Sequence, residues 1–109
     1  MINKHDEEII GQFLGSYFHQ DWDMEFASVK DAVQSYKTTG YEPNEILNLA
    51  NALRAYAQEI HLGKIGKRVL FREFACFYDP GLDGISEGDW LASLADDLTE
   101  GMKFQPKAG

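Results

Sequence analysis

The stretch PNEILNLANALRAYAQEIHLG, residues 43–63, decides the fold class of this chain. Its apolar residues recur at intervals of three and four, which places them on one face of an α-helix: Ile46, Ala50, Leu53, Ala57 and Ile60. Pro43 suits the first turn of such a helix, and Gly63 suits its end. The stretch therefore predicts a long helix with one apolar face that other elements must cover. We expect His61, in its last turn, to interact with the negative helix end and not to serve in catalysis.

Three further helices are predicted on either side of this stretch from the same apolar spacing and from capping residues. They are a first helix over about residues 6–14 that stops at Gly15, a second that Ser28 caps and Gly40 ends, and a last one from Ser86 to Gly101. With 109 residues, the chain has the length of one domain. We predict an all-α fold, a compact single-domain bundle of about five helices over residues 1–109.

Two segments between the third and last helices are harder to assign. Residues 64–72 hold four of the ten basic residues and fit a helix or a strand, and we interpret them as a short helix. Their charges either hold an internal or partner carboxylate or form a solvated face beside nearby acids. Residues 79–84 are rich in turn formers, and they lack the ligand pattern of a calcium loop because Gly81 and Trp90 occupy two ligand positions.

Charge is the most informative bulk property of the chain. Eighteen acidic residues against ten basic ones give a formal net charge of −8. Residues 73–100 contain eight of the acids and neither Lys nor Arg. Such a field repels phosphate backbones, so we expect no direct nucleic-acid partner and consider a basic protein the better match. The alternative is that the acidity serves only solubility.

Cysteine usage and hydropathy suggest the compartment. The single cysteine, Cys76, lies in an apolar run and cannot form an internal disulfide, so we expect it to pack as a small hydrophobic residue in a reducing environment. Acids at positions 6–8 and the absence of a long apolar stretch argue against a secretion signal or a membrane span. We expect a cytoplasmic protein.

Residues 17–26, YFHQDWDMEF, fit neither a helical pattern nor a plain loop. In an extended chain, one side would carry the apolar side chains Phe18, Trp22, Met24 and Phe26, and the other would carry His19, Asp21, Asp23 and Glu25. Same-face residues of a strand lie about 7 Å apart, too far to share one metal ion. A hydrolase would need a nucleophile motif or phosphate loop that the chain lacks. We therefore expect no catalytic, metal or cofactor site, and interpret the aromatics, Trp22 among them, as buried anchors of an interhelical connection.

The run FLGSYFHQDWD, residues 13–23, resembles the opening signature of a family of contact-dependent growth inhibition (CDI) immunity proteins, the CdiI type. A tyrosine before a proline–glycine turn, followed by Ser86 and the pair Trp90 and Leu91, resembles the C-terminal pattern of the same family. The residues that carry this structural motif are Tyr17, Phe18, His19, Trp22 and Trp90. The basic residues of positions 64–72 belong to no motif of the family.

The resemblance implies a non-enzymatic cytoplasmic antidote that binds the C-terminal toxin domain of a cognate effector, commonly a nuclease, as a 1:1 complex without contacting nucleic acid or membrane. Because a nuclease needs a basic cleft, an inhibitor of this charge can be steered into it. On electrostatic grounds we place the partner-binding residues among the acids Asp21, Asp23, Glu25, Asp83, Asp96 and Asp97. An adaptor or regulator with a non-toxin partner is the alternative, and a small metal-dependent hydrolase is a more distant one.

Overall fold

The computed structural model describes residues 3–66 and 69–101. Within these ranges the chain forms six α-helices, one 3₁₀ helix and no β-strand. The α-helices are α1 Lys4–Tyr17, α2 Trp22–Glu25, α3 Val29–Lys37, α4 Pro43–His61, α5 Leu70–Phe74 and α6 Glu87–Thr99, and the 3₁₀ helix is Pro80–Asp83. The predicted all-α class is confirmed. About five helices were predicted, and the six α-helices comprise four long ones and two of five residues or fewer.

The starts of the long helices are set by capping groups that sequence alone could identify. The Ser28 hydroxyl accepts a hydrogen bond from the Asp31 N–H at 3.1 Å, and the Ser86 hydroxyl accepts one from the Asp89 N–H at 3.1 Å. Helix α4 begins with Pro43 and a reciprocal capping box between Glu42 and Glu45. These caps satisfy backbone donors that otherwise have no partner in the first turn. Helices α3, α4 and α6 therefore begin where the sequence predicts.

The core lies between α4 and α6, which make the most extensive helix–helix contact in the described chain. Leu49 and Leu53 of α4 and Leu91 and Leu98 of α6 are completely buried at this contact layer. Helix α1 packs against α4, and α3 packs against α6. Lys37 at the end of α3 donates from Nζ to two carbonyl oxygens near the end of α6, at 2.9 and 3.0 Å. This ammonium satisfies carbonyls that the helix itself leaves unpaired.

Helix α1 is longer than predicted, because Gly15 lies inside it and does not end it. A Cβ atom at Gly11 would lie 3.6 Å from the Phe74 ring, and one at Gly15 would lie 3.7 Å from the Phe74 carbonyl oxygen. The two glycines thus face α5, which packs against α1. A glycine ends a helix when it takes a left-handed conformation, and Gly15 is not among the residues with positive φ.

The predicted short helix over residues 64–72 is displaced towards the C-terminus. Positions 64 and 65 each form a bend, the helix occupies Leu70–Phe74, and Lys67 and Arg68 lie outside the described residues. The Glu87 carboxylate of α6 accepts hydrogen bonds from the N–H groups of Val69, at 2.7 Å, and Leu70, at 3.2 Å. A residue distant in sequence therefore caps α5, which is why local pattern could not place its start.

Candidate protein-binding surface

Phe18 is the centre of an aromatic cluster that fixes the connection after α1. Its side chain is 0% exposed. Four rings lie around it, with centroid distances of 5.9 Å to Phe13, 5.3 Å to Trp22, 6.3 Å to Tyr78 and 5.2 Å to Trp90. The cluster joins α1, α2, the segment before the 3₁₀ helix and α6. Segments from both ends of the chain therefore meet at one ring.

Tyr17 extends the cluster on its other side. Its ring stacks on Phe26 at 6.0 Å and meets Tyr36 edge to face at 5.5 Å. Its hydroxyl lies 3.5 Å from the Thr39 hydroxyl oxygen. The last residue of α1 thus contacts both the residue after α2 and a ring of α3.

The predicted extended alternation of residues 18–26 is wrong, because residues 22–25 form one turn of helix, α2. The Phe26 N–H donates to the Trp22 carbonyl at 2.9 Å, and the Trp22 N–H donates to the His19 carbonyl at 2.9 Å. In a helical turn, side chains two apart do not share a face. Met24 is consequently 83% exposed, whereas Trp22 and Phe26 are partly buried against the core. The expected burial of Trp22 is thus only partial.

His19 and His61 both contact carboxylates at the surface. His19 accepts the Asp21 N–H at Nδ1, at 3.1 Å, and its Nε2 lies 3.2 Å from Glu25 Oε1. With Nδ1 as acceptor, the neutral ring carries its proton on Nε2 and donates it to Glu25. His61 Nε2 lies 3.1 Å from Asp89 Oδ1, so this ring contacts the first turn of α6. Each histidine therefore has a partner suited to a structural role.

No three His, Cys, Asp or Glu side chains within residues 3–66 and 69–101 come together in a way that could hold a metal ion. Over the same ranges, no helix is both long and apolar enough to cross a membrane.

Four of the six predicted partner-binding acids lie around one aromatic contact. Asp21, Asp23 and Glu25 are exposed on or beside α2, next to Trp22. The Trp22 ring lies 5.5 Å from the Tyr78 ring, and the Tyr78 hydroxyl donates a hydrogen bond to the Asp83 carboxylate. We call Asp21, Asp23, Glu25 and Asp83 the acidic surface. Tyr78 joins its two parts, which are about 60 residues apart in sequence.

The hydroxyl of Tyr78 keeps its proton through the physiological range. Burial of the ring disfavours the phenolate, and the adjacent Asp83 carboxylate disfavours it further, so that the pKa of Tyr78 rises to about 12. The hydroxyl therefore remains a donor to Asp83 at any pH at which the protein would function. The connection between the two parts of the acidic surface does not depend on a titration near neutrality.

The remaining two acids, Asp96 and Asp97, lie further along α6. They are six and seven residues beyond Trp90, which corresponds to about 10 Å along a helix axis. Arg54 of α4 lies 3.1 Å from the Asp96 carboxylate, so that this acid is partly neutralised. The Asp97 carbonyl accepts the Lys37 ammonium. These two acids form a second group at the C-terminal end of α6.

Sequence reasoning missed an exposed pair of phenylalanines beside the acidic surface. Phe71 is 63% exposed and Phe77 is 44% exposed, and their ring centroids lie 4.9 Å apart, edge to face. Phe77 lies in the apolar run that contains Cys76, and Phe71 lies in the basic segment 64–72. Cys76 itself is buried as predicted, and burial raises the pKa of its thiol to about 12. Periodicity in so short a run cannot tell which rings point outward.

A cleft of about 420 Å³ lies beside this pair, lined by Phe71, Arg72, Phe77, Tyr78, Asp79 and Glu87, with Leu70 and Cys76 at its floor. Arg72 also contacts Glu73, with Nε 3.2 Å from Oε2. A second cleft of about 420 Å³ lies between α1, α3 and the start of α4, where Tyr36 and Tyr41 stack at 4.4 Å.

These features define a small acidic all-α domain in which His19 and His61 pair with surface carboxylates, Cys76 is buried, and exposed carboxylates lie on segments fixed by aromatic rings. The chain belongs to the CdiI immunity protein family, whose model matches residues 7–98. Among solved structures, it is similar to a chain of the crystal structure of a CdiA-CT/CdiI complex from Y. kristensenii 33638. The identity is 18%, the TM-score is 0.68, and the similarity covers 85% of this chain and 98% of that chain. No curated protein gives a significant match.

Proposed function

We propose that this protein is a cytoplasmic immunity protein that binds and neutralises the C-terminal toxin domain of a cognate CDI effector, that the toxin is a nuclease, and that the complex is 1:1. The family match over residues 7–98 carries the proposal. The similar solved fold comes from a structure described as a CdiA-CT/CdiI complex. The protein acts by occupying the toxin, without a reaction of its own and without contacting nucleic acid or membrane.

The nuclease assignment rests on charge. A nuclease attracts a polyanionic substrate and therefore carries a basic cleft, whereas this chain has a formal net charge of −8. Opposite potentials steer two proteins together and raise the association rate well above that of neutral partners. An acidic inhibitor that covers such a cleft also excludes the nucleic acid from it.

Within this charge, we assign the main contact to the acidic surface of Asp21, Asp23, Glu25 and Asp83. These carboxylates are exposed, and the segments that carry them are fixed by Trp22 and Tyr78 against the aromatic cluster. Fixed carboxylates lose less conformational freedom on binding than mobile ones. Asp96 and Asp97 contribute to steering from the end of α6, with a smaller effect because Arg54 already pairs with Asp96.

The test uses the toxin domain encoded in the adjoining reading frame. The double variant Asp21→Lys and Asp23→Lys should slow association about tenfold or more at low salt, and the difference should shrink as salt screens the charges. Protection of cells that express the toxin should weaken in parallel. Exposed carboxylates contribute little to stability, so circular dichroism and the melting temperature should stay near those of the parent.

A matched control carries the same change of charge on another part of the protein: Glu8→Lys and Asp31→Lys, at exposed positions of α1 and α3. Asp96→Lys and Asp97→Lys report on the second group. Equal slowing by all three double variants would show a general effect of net charge and would remove the assignment to the acidic surface. Failure of the parent protein to bind or inhibit that toxin domain would overturn the function itself.

A further inference from the structure

The exposed phenylalanine pair, Phe71 and Phe77, is unusual within this protein. Among the described residues, the other phenylalanines are buried or partly buried: Phe13, Phe18, Phe26 and Phe74. Phe71 and Phe77 instead pack on each other at the surface and line the cleft that Tyr78, Asp79 and Glu87 complete. Large apolar side chains that stay at the surface together, next to a cleft and polar groups, mark interaction sites more often than single exposed ones.

The backbone that presents the pair is held at three points. Glu87 caps the start of α5 through the N–H groups of Val69 and Leu70. Ala75 ends α5 in the left-handed conformation, with φ of 53°, and so turns the chain back towards the helix. The Phe77 N–H then donates to the Phe18 carbonyl at 2.7 Å.

Ala75 is the one non-glycine residue with positive φ in the described chain, and glycine is usual at such a helix end. An unfavourable backbone conformation persists only where its surroundings hold it firmly. Its effect is to set the Phe77 ring against the Phe71 ring. The pair is therefore preorganised, which lowers the entropic cost of binding.

The pair is also continuous with the acidic surface. Tyr78 follows Phe77 directly, lines the same cleft, contacts Trp22 and donates to Asp83. Asp79, Glu87 and Arg72 line the cleft, and the Arg72 guanidinium contacts the Glu73 carboxylate. Among the described residues around the pair, acidic side chains outnumber basic ones, and an apolar centre of this kind is complementary to an apolar side chain flanked by basic ones.

We propose that Phe71 and Phe77 form an apolar anchor for the toxin domain, which inserts a large apolar side chain flanked by Lys or Arg into the cleft beside them. The proposal rests on the proposed function and adds the site that holds the complex together once charge has brought the partners into contact. Aromatic residues are enriched at the centres of interfaces, and a few buried anchors carry most of the binding free energy.

The test measures association and dissociation rates with the toxin domain of the adjoining reading frame. Phe71→Ala and Phe77→Ala should each raise the dissociation rate roughly thirtyfold, as loss of an interface anchor does. The association rate and its salt dependence should stay as in the parent, opposite to the pattern expected for Asp21→Lys and Asp23→Lys. Phe71→Gln, at the more exposed position, provides a second variant that keeps the fold if Phe77→Ala unfolds.

Tyr41→Ala is the matched control, because Tyr41 is 40% exposed and also packs on one neighbouring ring, but lines the other cleft. Its dissociation rate should equal that of the parent. Tight binding by the parent with unchanged dissociation of Phe71→Ala and Phe71→Gln would overturn the anchor and leave the immunity function standing. Absence of binding by the parent would overturn the function and the anchor with it. Dimers of the free protein that dissociate on Phe71→Ala would assign the pair to a second copy of this chain instead.

Discussion

Replacing Phe18 with alanine is expected to lower the free energy of unfolding by about 4 kcal/mol. The side chain is completely buried, and four other rings surround it. Truncation of a core phenylalanine to alanine costs roughly 3–5 kcal/mol, through lost burial and the cavity that remains. Since a domain of this kind is stable by only about 5–15 kcal/mol, this is a large share of the total. For roughly 100 residues the melting temperature should fall by about 20 °C.

Trp22→Ala is the natural comparison, because Trp22 lies on the same ring cluster but is only partly buried. It contacts two rings, Phe18 and Tyr78, so its loss should cost about 2 kcal/mol and not the roughly 3–5 kcal/mol that a fully buried ring would imply. Thermal and urea unfolding followed by circular dichroism measure both variants, with Phe71→Ala as an exposed-ring control. A Phe18→Ala protein that melts within a few degrees of the parent, or a larger loss for Trp22→Ala, would refute the central position assigned to Phe18.

Two further predictions concern the backbone of α1 and the buried thiol. Gly15→Ala should stabilise the protein by about 0.5–1 kcal/mol, because alanine is the better helix former and a Cβ there lies at an ordinary 3.7 Å from its nearest neighbour. Gly84→Ala should destabilise the protein by about 1 kcal/mol, because Gly84 has a φ of 77°, which alanine adopts at a cost. A lower urea midpoint for Gly15→Ala than for Gly84→Ala would show that the contact between α1 and α5 cannot accept a methyl group. For Cys76, burial raises the thiol pKa from 9.0 to about 12, so its contribution to stability is full below pH 9 and is lost as the pH rises towards 12. Between pH 8 and pH 10, the free energy of unfolding of the parent should fall by about 1 kcal/mol more than that of Cys76→Ala. Equal falls in the two proteins would contradict the raised pKa of Cys76.

Much of the helical framework follows from the sequence alone. Ser28, Ser86 and Pro43 mark helix starts because a cap or a first-turn proline acts on backbone groups within three residues. The apolar faces of α4 and α6 are legible because their spacing matches the helical period over many residues. The residues of the aromatic motif around Phe18 could likewise be selected from the sequence, although their mutual contacts could not.

The tertiary structure decided what depends on partners distant in the chain. Gly15 continues its helix and α5 begins at Leu70 because of contacts with Phe74 and Glu87, which no local pattern contains. Trp22 and Asp83, distant in the chain, both contact Tyr78. The physical reason is that periodicity and capping act within one or two turns, whereas the choice of which apolar ring is buried depends on the space that other segments leave. The four long helices and the overall charge can therefore be read from the sequence, whereas the short helices α2 and α5 and the grouping of carboxylates with aromatic rings depend on the packing of distant segments.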